Sequence, residues 1–183
     1  VRAILTGRLP DPLEWDAISQ ATPLDALRTG VAENRLVTEI RANPVFGDFG
    51  GLGWEWIANF YALGGAWLVY KRIISWHVPV AVLATVILVS TPMWLFGPDT
   101  NPSPLQHIFS GALVLAAFFI ATDPVSGCAT MRGRLIFGAG VAVLTLAIRR
   151  FGGYPDGVAF AVLLMNMAVP LIDRLTRPRA YGH

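Results

Sequence analysis

The sequence predicts an all-α integral membrane protein with about five transmembrane helices. Three observations carry this. The chain of 183 residues is 54% hydrophobic and only 14% charged, and its mean hydropathy is +0.54, too apolar for an ordinary soluble domain of this size. After Gly53, apolar stretches follow one another at about 54–70, 78–96, 107–122, 135–149 and 157–173. Few charges fall inside them, and packed as a soluble core they would leave no polar face for water. The net charge of +2, with Lys and Arg in small clusters, suggests no nucleic-acid surface and so no nucleic-acid partner. A single cysteine, Cys128, and scattered histidines, His77, His107 and His183, offer no internal disulfide, zinc site or iron–sulfur site.

Residues 1–53 are mixed in character, with Pro10, Pro12 and Pro44 as breakers and a Gly-rich run over 47–53. They read as a region outside the membrane. Within it Thr22-Pro23-Leu24-Asp25 has the pattern of a helix start: a hydroxyl N-cap, a proline at the first helical position and an acid near the positive end. A short surface helix through about Thr29 is expected. There is no starting Met and no signal-peptide pattern, so the chain is expected to be one part of a longer protein.

Residues 54–176 form the expected five-helix transmembrane domain, and 177–183 a tail. A crossing takes about 20 residues, so the third and fourth stretches, at about 16 and 15, must borrow flanking residues or be broken or tilted. The small-residue groups Gly64-Gly65-Ala66, Ser110-Gly111-Ala112 and Gly138-Ala139-Gly140 read as close helix packing. Pro79, Pro92 and Pro170 are expected to interrupt helices, leaving carbonyls that neighbours or a cavity must satisfy. Trp54, Trp56, Trp76 and Trp94 lie near segment ends as interfacial anchors.

Orientation follows from the basic residues. Lys71 and Arg72, Arg132 and Arg134, and Arg174, Arg177 and Arg179 flank alternate connections, which are therefore expected in the cytoplasm. Residues 1–53 and the Pro-rich loop 97–104 then face the periplasmic or outer side, and an odd number of crossings suggests that something precedes Val1. Arg149 and Arg150 break the rule, because they fall on an outward connection.

The residues that read as chemistry are few. Asp16-Ala17-Ile18-Ser19-Gln20-Ala21-Thr22 places hydroxyls ahead of the apolar segments. Asp123, Asp156 and Asp173 lie at segment ends, where ionisable groups either serve an ion pathway or sit at the interface, pairing with Arg149, Arg150 or Arg174. Glu55 opens the first segment. Asn166, inside the fifth, needs a partner in lipid: it bonds across helices or touches a cofactor.

Asp16, Ser19, Ala21 and Thr22 together resemble the flavin-attachment motif of the RnfD and NqrB family of respiratory membrane proteins, with Gln20 where the family usually has Gly. Two longer stretches strengthen the resemblance: His107 to Leu113 running on to Ala121-Thr122-Asp123-Pro124, and Ile148 to Gly157 running on to Leu164 through Asp173. The tail Arg177-Pro178-Arg179 before Gly182-His183 is similar to the family as well. The resemblance implies the second half of a ten-helix fold made of two five-helix halves in opposite orientation, similar to urea transporters. It implies FMN esterified through its phosphate to Thr22, with Asp16, Ser19 and Ala21 in the attachment motif, and it leaves a second, noncovalent flavin open. It further implies an electron-carrying role in an inner-membrane pump that couples ferredoxin and NAD to movement of sodium ions or protons. The implied partners are the preceding five-helix half, the lipid bilayer and the other membrane subunits of an Rnf complex, including a second covalent flavoprotein.

Alternatives stay open on the residues alone. Thr22 is equally a plain N-cap, and the five segments equally suit half of an inverted-repeat channel or transporter with no redox role, or a scaffold subunit. The second Ser-Gly and Ala-Thr, at Ser126-Gly127-Cys128-Ala129-Thr130, is read as a plain cytoplasmic loop, because Arg132 and Arg134 follow it.

Overall fold

The computed structural model describes residues 22–42, 46 and 54–178. Their elements are all helical: α1 (Pro23–Ala32), α2 (Val37–Arg41), α3 (Trp54–Tyr70), α4 (His77–Phe96), α5 (Pro104–Phe109), α6 (Leu113–Leu115) running into a π-helical turn (Ala116–Ile120), α7 (Met131–Phe151) and α8 (Val158–Thr176). Three of these, α4, α7 and α8, with 20, 21 and 19 residues, are long and apolar enough to cross a membrane. The first expected crossing, α3, has 17 residues, about 25 Å at 1.5 Å per residue, a little short of a bilayer core. The fourth borrowed its flanks, extending at both ends from 135–149 to Met131–Phe151.

The third stretch corrects the expectation of a continuous helix. It begins early, at Pro104, because Ser103 caps it: Ser103 Oγ accepts from Gln106 N at 3.3 Å while Gln106 Oε1 accepts from Ser103 N at 3.0 Å. It then breaks at Ser110-Gly111-Ala112. Ser110 is extended (φ −102°, ψ 138°) and Gly111 has a left-handed φ of 69°, a conformation that favours glycine. The prolines are a second correction, since α4 and α8 run through them. Pro79 lies in the first turn, where its missing N–H is no loss, and Pro92 and Pro170 each remove a single ladder bond in the C-terminal half of their helices.

The core lies between α4 and α7, the most extensive helix pair, with α8 against the other side of α7. Val82, Val86, Phe137, Val141, Ala142 and Ala161 are fully or almost fully buried there. Gly138 sets the approach of α7 to α4, since a Cβ on it would stand 2.8 Å from Ala81 Cβ and 2.9 Å from Val78 O. This is the close packing by small residues expected where lipid and protein are equally apolar. On the outside, Trp56, Phe60, Leu63, Trp67 and Tyr70 of α3, and Leu163, Met167 and Leu171 of α8, are exposed rows of large apolar side chains. In water such rows would be unstable; in hydrocarbon they cost nothing.

Two ends of the bundle are fixed by hydrogen bonds across the chain. At one end Val37 N donates to Asp99 O at 2.8 Å and Arg150 donates to Asn101 Oδ1 at 2.7 Å. At the other, Ala129 N donates to the Asp173 carboxylate at 3.1 Å and the Thr130 and Thr176 hydroxyls meet at 2.5 Å.

Candidate functional site

Thr22 has extended backbone (φ −61°, ψ 152°), and its Oγ accepts from Asp25 N at 3.3 Å. It is the N-cap of α1, as the sequence predicts, and its side chain is exposed. The helix behind it is anchored: Pro23, Leu24 and Leu27 are buried, and Gly30 lies against Ile40 of α2. The sequence expectation of a short helix holds, though it runs on to Ala32.

What α1 docks against is the break between α5 and α6. At Gly111 a Cβ would collide with Asp156 Oδ2 and stand 2.7 Å from Leu24 Cδ1, so α1, the break and the α7–α8 connection meet at one glycine. A broken helix leaves backbone groups without partners, and within a membrane protein these must be satisfied internally. Arg149 and Asp156 do this. Arg149 donates to His107 O at 2.6 Å and to Ser110 O at 3.0 Å, while Asp156 Oδ2 accepts from Ala112 N at 2.8 Å. The two side chains pair at 3.1 Å, with Arg149 4% and Asp156 27% exposed. Asp156 therefore takes the pairing with Arg149 that the sequence offered among several. Of the two arginines that break the charge rule, Arg149 is bound within the protein, while Arg150 is exposed and bonded to Asn101 Oδ1.

Between these elements lies a cavity of about 480 Å³, within the range of small-molecule sites. Thr22, Pro23 and Leu24 form one edge, Ile57, Ala58 and Tyr61 of α3 a wall, and Ser110, Gly111, Ala112, Val114 and Leu115 with Asp156 the rest. Its lining is mostly apolar with a few convergent polar groups. One of these, Ser110 Oγ, is buried without a hydrogen-bond partner, and Ser110 as a whole is 2% exposed. Ser110-Gly111-Ala112 read from sequence as helix packing; nothing local in it signals a cavity wall.

The remaining candidates lie elsewhere. Asp123 folds back on its own loop, accepting from Ser126 Oγ at 2.7 Å and from the backbone of Ser126 and Val125; the Ser126 hydroxyl, then these amides, hold its carboxyl below the usual range. Asp173 accepts from Ala129 N. The structure thus brings Asp123 and Asp173 to the end opposite Asp156. Thr130 is the N-cap of α7, accepting from Gly133 N at 2.9 Å, so its hydroxyl is committed on both sides. Cys128 beside it is buried, and burial with the nearby Asp173 pushes its thiol up to about 11. A second cavity of about 520 Å³ at this end is lined by Ile74, Phe118, Phe119, Asp123 and Asn166 among others. Asn166 Oδ1 is buried there without a partner, so no cross-helix bond to that oxygen is present. Asp16, Ser19 and Ala21, and the side chains of Trp54 and Glu55, lie outside the described residues. Among the described residues no group of three His, Cys, Asp or Glu side chains is placed to hold a metal ion.

Against known proteins, 54% of 169 aligned residues are identical to the RnfD component of an ion-translocating oxidoreductase complex of Escherichia coli O1:K1 / APEC, covering 92% of this chain and 48% of that protein. The corresponding component from Aliivibrio salmonicida (strain LFI1238) is 52% identical over 168 residues, with the same coverage. The chain spans about half the length of these relatives. A family model matches residues 2–182, almost end to end and across both the helix break and the Arg149–Asp156 connection, and on this match the chain belongs to the NQR2, RnfD, RnfE family.

Proposed function

We propose that the chain is the second membrane half of the RnfD component of an ion-translocating oxidoreductase complex, and that it carries FMN esterified through its phosphate to Thr22. The observation that supports this best is the cavity at the break, because the exposed threonine hydroxyl at the start of α1 forms its edge. The residues present fit the group. The Thr22 hydroxyl and the first turn of α1 suit a phosphate, Ile57, Ala58 and Tyr61 suit the faces of a planar ring, and Asp156 puts a carboxylate in the cavity wall. Bound FMN supplies carriage of electrons one or two at a time. The chain's part is to fix that carrier at constant distance from its neighbours, to keep water from its ring, and to supply polar groups at its edge.

In the same reading the two ends of the bundle acquire sides. Thr22, the loop 97–103 and the α7–α8 connection face the periplasm; Lys71, Arg72, Arg132, Arg134 and Arg174 face the cytoplasm. The five-helix unit pairs with a preceding half of inverted orientation in a bacterial inner membrane, and electrons pass between ferredoxin and NAD with movement of sodium ions or protons.

The channel reading loses ground on a specific observation. In transporters with broken helices the unwound carbonyls coordinate ions. Here the His107 and Ser110 carbonyls accept from the Arg149 guanidinium, whose charge repels a cation.

Thr22→Val keeps the shape of the side chain and removes the oxygen. The full-length protein carrying it should lose its in-gel flavin fluorescence after denaturation, while insertion survives, because an exposed cap contributes only about 1 kcal/mol. Thr130→Val should keep the band. A fluorescent Thr22→Val protein beside a dark Thr130→Val protein would overturn the assignment of both the residue and the side.

A further inference from the structure

Of the buried side-chain atoms left without a partner among the described residues, His107 Nδ1, Ser110 Oγ and Asn166 Oδ1, only Ser110 Oγ belongs to a residue lining the cavity beside Thr22. A buried hydroxyl without a partner is destabilising, and native proteins rarely leave one. It is not left by poor packing. The backbone on either side of it is held tightly, with Ser110 N donating to Gln106 O at 3.0 Å, Ser110 O accepting from Arg149, and Ala112 N donating to Asp156. These neighbouring polar groups are bonded, and the one left without a partner belongs to a residue of the cavity wall.

We infer that the Ser110 hydroxyl is the hydrogen-bond donor that the cavity offers to the ring of the flavin, and that it sets the flavin's reduction potential. The inference rests on the reading of Thr22 above. The edge of an isoalloxazine ring is rich in acceptors, its carbonyl oxygens and imine nitrogens. The other polar groups of the cavity are less suited to them. Asp156 as a carboxylate only accepts, Thr22 is consumed by the phosphate, and Tyr61, 39% exposed, is less firmly held than the buried serine. A donor at the ring edge stabilises the electron-rich reduced form more than the oxidised form, and a buried one does so with little screening. Ser110 therefore raises the potential. Arg149 and Asp156 act through it as positioning residues, since they hold the backbone from which its side chain projects.

The test uses the full-length protein in detergent, with two readings on each variant: the in-gel flavin band, and the midpoint potential of the retained flavin by spectroelectrochemical titration. Ser110→Ala should keep the band and bind the reduced form about tenfold less well relative to the oxidised form, a fall of about 59 mV for a one-electron step. Ser110→Thr keeps the hydroxyl and should return the potential towards that of the parent. A band lost from Ser110→Ala but kept by Ser110→Thr would also support the role, the hydroxyl then being needed to seat the ring. An unchanged potential in Ser110→Ala, an equal shift in both variants, or a band lost from both would overturn it. A parent protein without any band would instead overturn the assignment of Thr22, a result distinct from an attached flavin of unaltered potential.

Discussion

Arg149 carries more of the site than any other side chain, since one guanidinium satisfies the carbonyls of His107 and Ser110 and the carboxylate of Asp156. Its planar fork makes this geometry available; a lysine at the same place has a single ammonium centre and cannot span three acceptors. With Arg149 only 4% exposed, its removal would leave the His107 and Ser110 carbonyls and the Asp156 carboxylate without their shared donor. Arg149→Ala should therefore cost about 3–5 kcal/mol, read as a fall in thermal unfolding midpoint of the full-length protein in detergent, and Arg149→Lys should recover less than half of that. A lysine variant as stable as the parent would show that the break does not depend on the fork. At this scale the sequence was partly legible. Thr22 reads as an N-cap from four residues of local pattern, and it is one. The Arg149–Asp156 pair could be narrowed to a few options. Ser110 could not be read at all, because its place in a cavity depends on Asp156 and Arg149, both far along the chain, and on α1, far earlier still.

Helix lengths and the break belong to the next scale. The five apolar stretches gave the elements and their order, and the shortness of the third was the sign that something there was not a plain helix. What could not be seen was where it parts, since Ser-Gly-Ala is also the composition of a tight helix contact. The group around Gly138 behaves as expected. There the nearest obstacles to a side chain are Ala81 Cβ and the backbone oxygen of Val78, so α4 cannot yield by turning a side chain. Gly138→Leu should force α7 from α4 and cost about 1–3 kcal/mol by overpacking, lowering the unfolding midpoint, whereas Gly153→Ala, with nothing within 4 Å, should leave it in place. If Gly138→Leu unfolds at the parental temperature, the α4–α7 seam is looser than this close approach implies.

At the scale of the whole molecule both ends of the bundle carry exposed cations. Arg149 is buried at the Thr22 end, where Arg28 and Arg150 are exposed, and Lys71, Arg72 and Arg132 are exposed at the other, which in the proposed orientation is the cytoplasmic face. Sidedness is then testable with two introduced cysteines. Arg28→Cys lies on the exposed face of α1 and Val125→Cys at a position 91% exposed in the opposite loop. The native Cys128 gives little background, because it is 4% exposed and its thiol, raised to about 11, stays protonated at neutral pH; the thiolate is the form that reacts. In intact cells a membrane-impermeant maleimide should label Arg28→Cys and not Val125→Cys, and after permeabilisation both should react. The reverse pattern would place Thr22 on the cytoplasmic side and remove the charge rule as support for the flavin assignment. Labelling of both in intact cells would mean that the helices between them do not separate two compartments, and the membrane reading of α3 to α8 would fall with it.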